Sequence, residues 1–161
     1  MKRLFLFYLL YALTSCQKNL EITTFDKAKI SEETRQVLLD YHIAMNKDGL
    51  MAEFAYLDDS SDFFWVPPGY TSALNYDSVE TILKQNAKTL KQVTFKWDTL
   101  QIFPLSNVIA NYTGIVNGQM IDTSGIKSKV SIIESGTLIK RDDGWKLLNG
   151  QSAILDTGNN N

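Results

Sequence analysis

The sequence has little of what most metal and nucleophile sites are built from. Its 161 residues include one cysteine and one histidine. There is no second histidine, no cysteine pair and no His-Glu pair at helical spacing, which argues against a transition-metal site. A glycine-rich phosphate loop, a Gly-x-Ser-x-Gly elbow and a Ser/His/Asp set are also missing. We therefore expect no metal, no cofactor and no nucleophilic centre.

The acidic residues offer no calcium loop either. Asp58, Asp59 and Asp62 lie close together, but the loop glycine and closing glutamate of an EF-hand are missing. A helix-to-strand turn explains the cluster. Charge excludes one further class of partner: 16 Lys and Arg against 18 Asp and Glu give a net charge of −2, with no basic stripe. We expect no nucleic-acid binding.

What is present begins with the first sixteen residues. Lys2 and Arg3 precede an apolar run, Leu4–Leu13, that is too short to span a bilayer. Leu13-Thr14-Ser15-Cys16 then resembles the lipobox of bacterial lipoproteins: an aliphatic residue, two small residues and the cysteine. We predict cleavage before Cys16, lipidation of Cys16, and a lipid-anchored protein of the bacterial cell envelope, at the outer membrane. The use of Cys16 for lipid leaves no cysteine for a disulfide.

The rest of the chain is predicted to form one domain. The predicted division is a signal peptide over residues 1–15, the lipidated Cys16 and a polar tether over 16–29, the domain over 30–154, and a disordered tail over 155–161.

Periodicity indicates an α+β domain in which helices come first. A helix begins at Ser31, with an apolar stripe at Val37, Leu38, Tyr41, Ala44 and Met45, and stops at Asn46-Lys47-Asp48-Gly49. A short helix over Leu50–Leu57, a strand over Phe63–Val66 and a third helix over Ser78–Lys91 follow. After Lys91 the pattern has period two through four strands, with turns predicted at Asn117-Gly118 and Asp142-Asp143-Gly144. The predicted order is α-α-β-α-β-β-β-β.

This order resembles the nuclear transport factor 2-like superfamily, and its SnoaL-like bacterial branch in particular. Three segments carry the resemblance: Asn46–Leu50 as the helix-ending turn, Asp62–Gly69 (DFFWVPPG) as the first strand and its loop, and Gly136–Leu148 as the final hairpin. The resemblance implies a cone, in which a curved antiparallel sheet wraps around a long first helix. Where the family often has a His six residues after the hairpin Trp, this chain has Gln151. An amide holds a ligand but does not shuttle protons as imidazole does.

The family cone usually holds a pocket between sheet and helix. The residues that we predict to line it, with the amides assigned by their shared parity with Trp145, are Tyr41, Phe54, Phe64, Trp97, Tyr112, Asn149 and Gln151. The alternative is that the aromatics simply fill the core, and a one-residue bulge would exchange the two faces. His42, offset from the apolar stripe, is expected to be partly exposed and structural.

Three functions stay open at this point. The first is a membrane-anchored domain that binds a small apolar ligand or a protein partner. The second, implied by some relatives, is an isomerase- or dehydratase-like enzyme, for which Asp98, Asp62 and Glu134 are the strand-located acids. The third is a pocketless interaction domain. The resemblance also implies a homodimer through the outer sheet face, for which we nominate Lys96, Asp98, Leu100, Ile102 and Ile109. A buried carboxylate that faces a Tyr inside an open cavity would favour the enzyme.

Overall fold

A computed structural model describes residues 24–155 of the chain. The predicted signal peptide, Cys16 and most of the tail lie outside these residues. The elements, in chain order, are α1 (Thr24–Asp48), a 3-10 helix (Leu50–Ala55), β1 (Phe64–Val66), α2 (Tyr76–Thr89), β2 (Leu90–Pro104), β3 (Ile109–Asp122), β4 (Lys127–Arg141) and β5 (Gly144–Ile154). The predicted element order is confirmed.

One five-stranded sheet carries the fold, in the order β1-β5-β4-β3-β2. β2 to β5 form an antiparallel meander, and the short β1 adds to β5 in parallel. The helices cover one face, so that the core lies between α1 and the concave side of the sheet. This is the curved α+β architecture that the resemblance implies.

α1 buries a stripe of helical period against the sheet. Ile30, Thr34, Leu38, Tyr41 and Met45 are all buried along it, as residues three and four apart lie on one helix face. The helix ends as predicted, at Gly49, which adopts φ 86° and donates its backbone N–H to the Met45 carbonyl at 2.9 Å. Its start differs from the prediction, because residues 24–29, assigned to the tether, are already helical.

The 3-10 helix changes which side chains point inward. Side chains three residues apart eclipse one another in this geometry, so Leu50 and Glu53 are both buried. The predicted α-helical spacing would have placed Phe54 beside Leu50. Phe54 instead turns away and makes an edge-to-face contact with Tyr76, with 5.3 Å between ring centroids.

Besides a register shift at the start of β2, between Leu90 and Gln92, two bulges exchange the faces of the sheet strands. In β2, Trp97 pairs with Val116 and Thr99 pairs with Ile115, so Asp98 is an extra residue. Leu100 and Ile102 therefore turn inward to the core, which corrects their place in the predicted outer row. Lys96, Asp98 and the half-buried Ile109 stay outside it.

The second bulge lies in β5. Leu138 pairs with Leu147 and Thr137 with Asn149, which leaves Leu148 as the extra residue. Trp145 and Leu147 are buried on the inner face, but beyond Leu148 the parity reverses. The prediction that Asn149 and Gln151 face the interior is wrong for this reason.

Of the two predicted turns, one is confirmed and the other is wrong. Asp142-Asp143 joins β4 to β5, as expected, with Gly144 at φ 124°. Asn117-Gly118 lies inside β3, and the β3–β4 turn falls at Asp122–Gly125 instead. A Cβ on Gly118 would stand 2.8 Å from the Phe95 ring, so this glycine marks a close approach between strands and not a turn.

Candidate functional site

A cavity opens between α1, the 3-10 helix, α2 and the inner face of the sheet. Its volume is about 370 Å³. Aromatic and aliphatic side chains form most of its wall: Tyr41, Met45, Leu50, Leu57, Phe63, Trp65, Pro67, Pro68, Tyr70, Leu74, Val79, Ile82, Leu83, Leu90, Phe95, Val116, Met120 and Ile132. The polar lining residues are His42, Glu53, Asn86, Glu134 and Ser152. A filled cone, which the pocketless alternative required, is thus contradicted.

Two carboxyl groups line this cavity, and both are buried. Glu53 is 9% exposed and Glu134 is 5% exposed. Glu53 comes from the 3-10 helix. Glu134 comes from β4, where it shares the inward parity of Ile132 and Leu138. Fully buried carboxyl groups need compensating partners, because an ionised carboxylate loses its hydration on burial.

Each carboxyl group has a buried tyrosine as its partner. The Tyr112 hydroxyl donates to Glu134 Oε1 at 2.8 Å, and the Tyr41 hydroxyl donates to Glu53 Oε2 at 3.2 Å. Both tyrosines are buried, at 2% and 6% exposure. The cavity therefore holds two Tyr–Glu pairs, one from β3 and β4 and one from α1 and the 3-10 helix.

The burial sets the ionisation of these groups. Desolvation raises the pKa of Glu53 to about 8, opposed by the hydrogen bond from Tyr41 and reinforced by the charge of Glu134. Desolvation likewise raises the pKa of Glu134 to about 7, against the hydrogen bond from Tyr112. The pKa values of both tyrosines lie well above the usual value because of burial, so both remain protonated donors. The site thus has two acids that exchange protons near neutral pH.

His42 stands beside these pairs and corrects the prediction of an exposed histidine. It is 5% exposed, because it lies four residues after Leu38 on the buried face of α1. Its ring stacks on Trp97 with 4.9 Å between centroids. Its Nδ1 is buried and has no hydrogen-bond partner within the described part of the chain. Desolvation lowers the pKa of His42 to about 4. It is therefore neutral at physiological pH.

The predicted lining residues separate into three groups. Tyr41 lines the cavity, while Trp97 and Tyr112 are buried behind its wall, where they meet edge-to-face at 5.9 Å. Phe54 lies in a surface depression near Asp58 and Arg141. Phe64, Asn149 and Gln151 lie at a shallow depression on the opposite face of the sheet.

Sequence reasoning missed Glu53 and did not single out Glu134 above the other acids. Of the acids nominated with Glu134, Asp98 and Asp62 are exposed. The parity of β4 was a usable signal for Glu134. Nothing in the pattern of residues 50–57 separates a 3-10 helix from an α-helix, so Glu53 had no such signal.

Metal and membrane features are absent from the part of the chain that the structure describes. Residues 24–155 hold no group of three or more His, Cys, Asp or Glu side chains arranged to bind a metal ion. None of the helices among these residues is long and apolar enough to cross a membrane.

Comparison with known proteins gives matches in structure but none in sequence. No protein-family model and no curated protein sequence matches the chain. A nuclear transport factor 2-like superfamily protein from Salmonella enterica serovar Typhimurium superposes with a TM-score of 0.69 at 15% identity, over 83% of this chain and 96% of that one. The chain has the nuclear transport factor 2-like fold.

Two further structures with this fold carry names of enzymes. A ketosteroid isomerase-like protein from Erwinia carotovora atroseptica has a TM-score of 0.62 at 16% identity, over 77% of this chain and 95% of that one. A hexachlorocyclohexane dehydrochlorinase from Novosphingobium barchaimii has a TM-score of 0.65 at 12% identity, over 82% and 90%. At sequence identities this low, the structural similarity establishes a shared fold and nothing more.

Proposed function

We propose that this protein is a proton-transfer enzyme of the isomerase or dehydratase kind, acting on a small, largely apolar molecule. One observation carries the proposal: two buried carboxyl groups, each held by a buried tyrosine, face a single open cavity. Apolar walls with a few polar groups are typical of small-molecule sites. The names of two structural neighbours agree with this class of chemistry.

The two acids suit complementary roles. Glu134 is the base that removes a proton from carbon, because the hydrogen bond it accepts from Tyr112, at 2.8 Å, is shorter than the 3.2 Å bond from Tyr41 to Glu53 and so better stabilises an ionised carboxylate. Glu53, with a pKa of about 8, remains protonated and delivers a proton to the atom that becomes basic. In an isomerisation Glu134 returns its proton to another carbon, and Glu53 regains its own proton as the carbonyl re-forms. In a dehydration the hydroxyl group leaves as water with the proton from Glu53, and Glu134 then loses its proton to solvent while Glu53 takes one up. A catalytic acid and base work best with pKa values near the operating pH.

The tyrosines hold the carboxyl groups and take no proton themselves. Tyr112 donates to one oxygen of Glu134, which leaves the other oxygen free for the substrate. Tyr41 does the same for Glu53. Fixed donors of this kind orient a base without a further reorganisation cost.

The test uses 5-nitrobenzisoxazole, a small probe whose ring opens when a base removes its C–H proton and the N–O bond breaks to give a cyanophenolate. We expect catalysed opening whose rate rises with pH through about 7, as Glu134 ionises. Glu134→Gln should lower that rate about 100-fold or more. Glu80→Gln, on the exposed side of α2, is the matched control and should change nothing. Equal rates for Glu134→Gln and the wild type would refute the role of Glu134.

A binding domain without turnover is the second candidate. It is favoured by the neutrality of the cavity below pH 7, where both acids are protonated and His42 is uncharged. Such a cavity accepts an apolar molecule without desolvating a charge. Native mass spectrometry of the purified protein separates the two: a co-purified ligand that stays intact over time supports binding alone.

We further propose that the domain acts at the cell envelope, anchored by lipid on Cys16. The support is the Leu13-Thr14-Ser15-Cys16 pattern after the apolar run. Two or three acyl chains give stable anchoring where one is marginal. Cys16→Ser should abolish lipid labelling and move the protein to the aqueous phase of a detergent partition. Retention of this variant in the detergent phase would contradict the anchor.

A further inference from the structure

We propose that the ligand of this cavity is an organic cation: an ammonium group on a compact apolar body. This inference rests on the proposed function and specifies its substrate class. It starts from an imbalance of charge. Among residues 24–155, the side chains that line the cavity include two carboxyl groups and no Lys or Arg.

The side chains around the two acids supply no positive charge from any side. Titratable groups that face them are Tyr41 and His42 from α1, Tyr112 from β3 and Tyr70 from the loop after β1. The residues that α2, β2 and β5 contribute to the lining are uncharged. His42 is neutral near pH 7 because of its burial. The cationic side chains in described ion pairs lie elsewhere, on Glu33, Asp58, Glu80 and Asp143.

The wall of the cavity matches a cation as well as an apolar body. The rings of Tyr41, Phe63, Trp65, Tyr70 and Phe95 all line it. Aromatic faces attract ammonium groups, and more strongly where water is excluded. The cavity thus combines aromatic rings with carboxyl groups and has no cationic side chain in its described lining. An ammonium ion can interact with both kinds of group.

A bound monocation would also set the protonation state that the chemistry needs. With no ligand, the first ionisation of the pair places an uncompensated charge in a desolvated site. An ammonium ion compensates one negative charge and no more. Its presence therefore favours the state in which one carboxyl is ionised, as the base, and the other is protonated, as the acid.

The experiment compares benzyltrimethylammonium with its neutral carbon isostere neopentylbenzene on the full chain. Binding is followed by tryptophan fluorescence, since Trp65 lines the cavity. At pH 8 we expect the cation to bind at least ~10-fold more tightly than the isostere. Below the pKa of the ionising acid this preference should fall by about tenfold per pH unit, with release of about one proton per bound cation in weakly buffered solution.

The double variant Glu53→Gln/Glu134→Gln should lose most of the preference for the cation and all of its pH dependence, whereas Glu80→Gln should keep both. Because the wild-type pH dependence needs no variant, an unfolded double variant leaves the test intact. If only neopentylbenzene binds, the cation inference is overturned and the proposed function stands. If neither probe binds, the cavity is not a small-molecule site and both proposals fail.

Discussion

Replacing Glu134 by glutamine should make the protein more stable at pH 8 and change its stability little at pH 5. The substitution keeps the size of the side chain, and the amide oxygen still accepts the hydrogen bond from Tyr112. It removes the ability to ionise and puts the amide NH2 in place of the oxygen that Tyr112 does not contact. The buried position of Glu134, at 5% exposure, makes that ability costly.

The magnitude follows from the shift in pKa. Burial raises the pKa of Glu134 from 4.5 to about 7. The folded state therefore binds this proton more tightly than the unfolded state does. The resulting stabilisation is fully present below pH 4.5 and is lost as the pH rises to about 7. Because each pH unit corresponds to at most about 1.4 kcal/mol, Glu134 should lower the free energy of unfolding by about 2 kcal/mol between pH 5 and pH 7.

Urea unfolding of wild type and variant at half-unit steps from pH 5 to pH 9 measures this difference. We expect the two unfolding free energies to separate steadily between pH 5 and pH 7, and the separation to level off only above about pH 8. Removal of Glu134 also removes a charge that raises the pKa of Glu53, which acts in the same direction. Glu80→Gln, at an exposed i,i+4 pair with Lys84, should show no such separation. A gap between wild type and Glu134→Gln that is constant with pH would refute the reasoning.

Three further predictions test the frame around the site. Gly150→Ala should destabilise the fold by about 1–3 kcal/mol in thermal unfolding, because the new Cβ would clash with the Trp65 ring; unchanged stability would contradict this contact. Asn46→Ala should cost about 1–2 kcal/mol and speed hydrogen exchange at Phe95, whose backbone N–H and C=O both bond the Asn46 amide, at 2.6 and 3.0 Å; exchange at Thr94 serves as the internal control. His42→Phe should steepen the gain in stability on acidification between pH 6.5 and about 4, because protonation of His42 in the unfolded state opposes the gain that Glu53 and Glu134 contribute there; the same pH dependence for wild type and variant in urea unfolding would argue against a buried neutral histidine.

The order of elements was predictable because it depends on strong local signals. The stripe through Leu38, Tyr41 and Met45 has the helical period, and Gly49 supplies the positive φ that ends the helix. The alternation of Val93, Phe95 and Trp97 likewise identifies the inner face of β2. Each of these patterns depends on only a few neighbouring residues, and the structure confirms each of them.

Which side chains line the cavity was much less predictable, because a single extra residue in a strand decides which face the following side chains occupy. Leu148 turns Asn149 and Gln151 to the outer face, and Asp98 turns Leu100 and Ile102 to the inner one. The 3-10 geometry buries the Glu53 side chain where α-helical spacing would have buried Phe54. In each case a change of one residue in the period reverses a face, and the pattern of apolar residues alone does not encode it.

The two buried acids are the places where the chain departs furthest from what stability alone would select. An apolar pair of similar volume at Glu53 and Glu134 would carry no ionisation penalty and would extend the apolar wall that Leu50 and Ile132 already form. The pKa values of about 8 and about 7 mean instead that both acids weaken the fold as the pH approaches neutrality. Departures of this kind concentrate at functional sites, where activity and stability compete. Both acids line the same open cavity, and each has a tyrosine that holds it there. That coincidence is what a proton-transfer site requires, and a core built only for stability has no use for it.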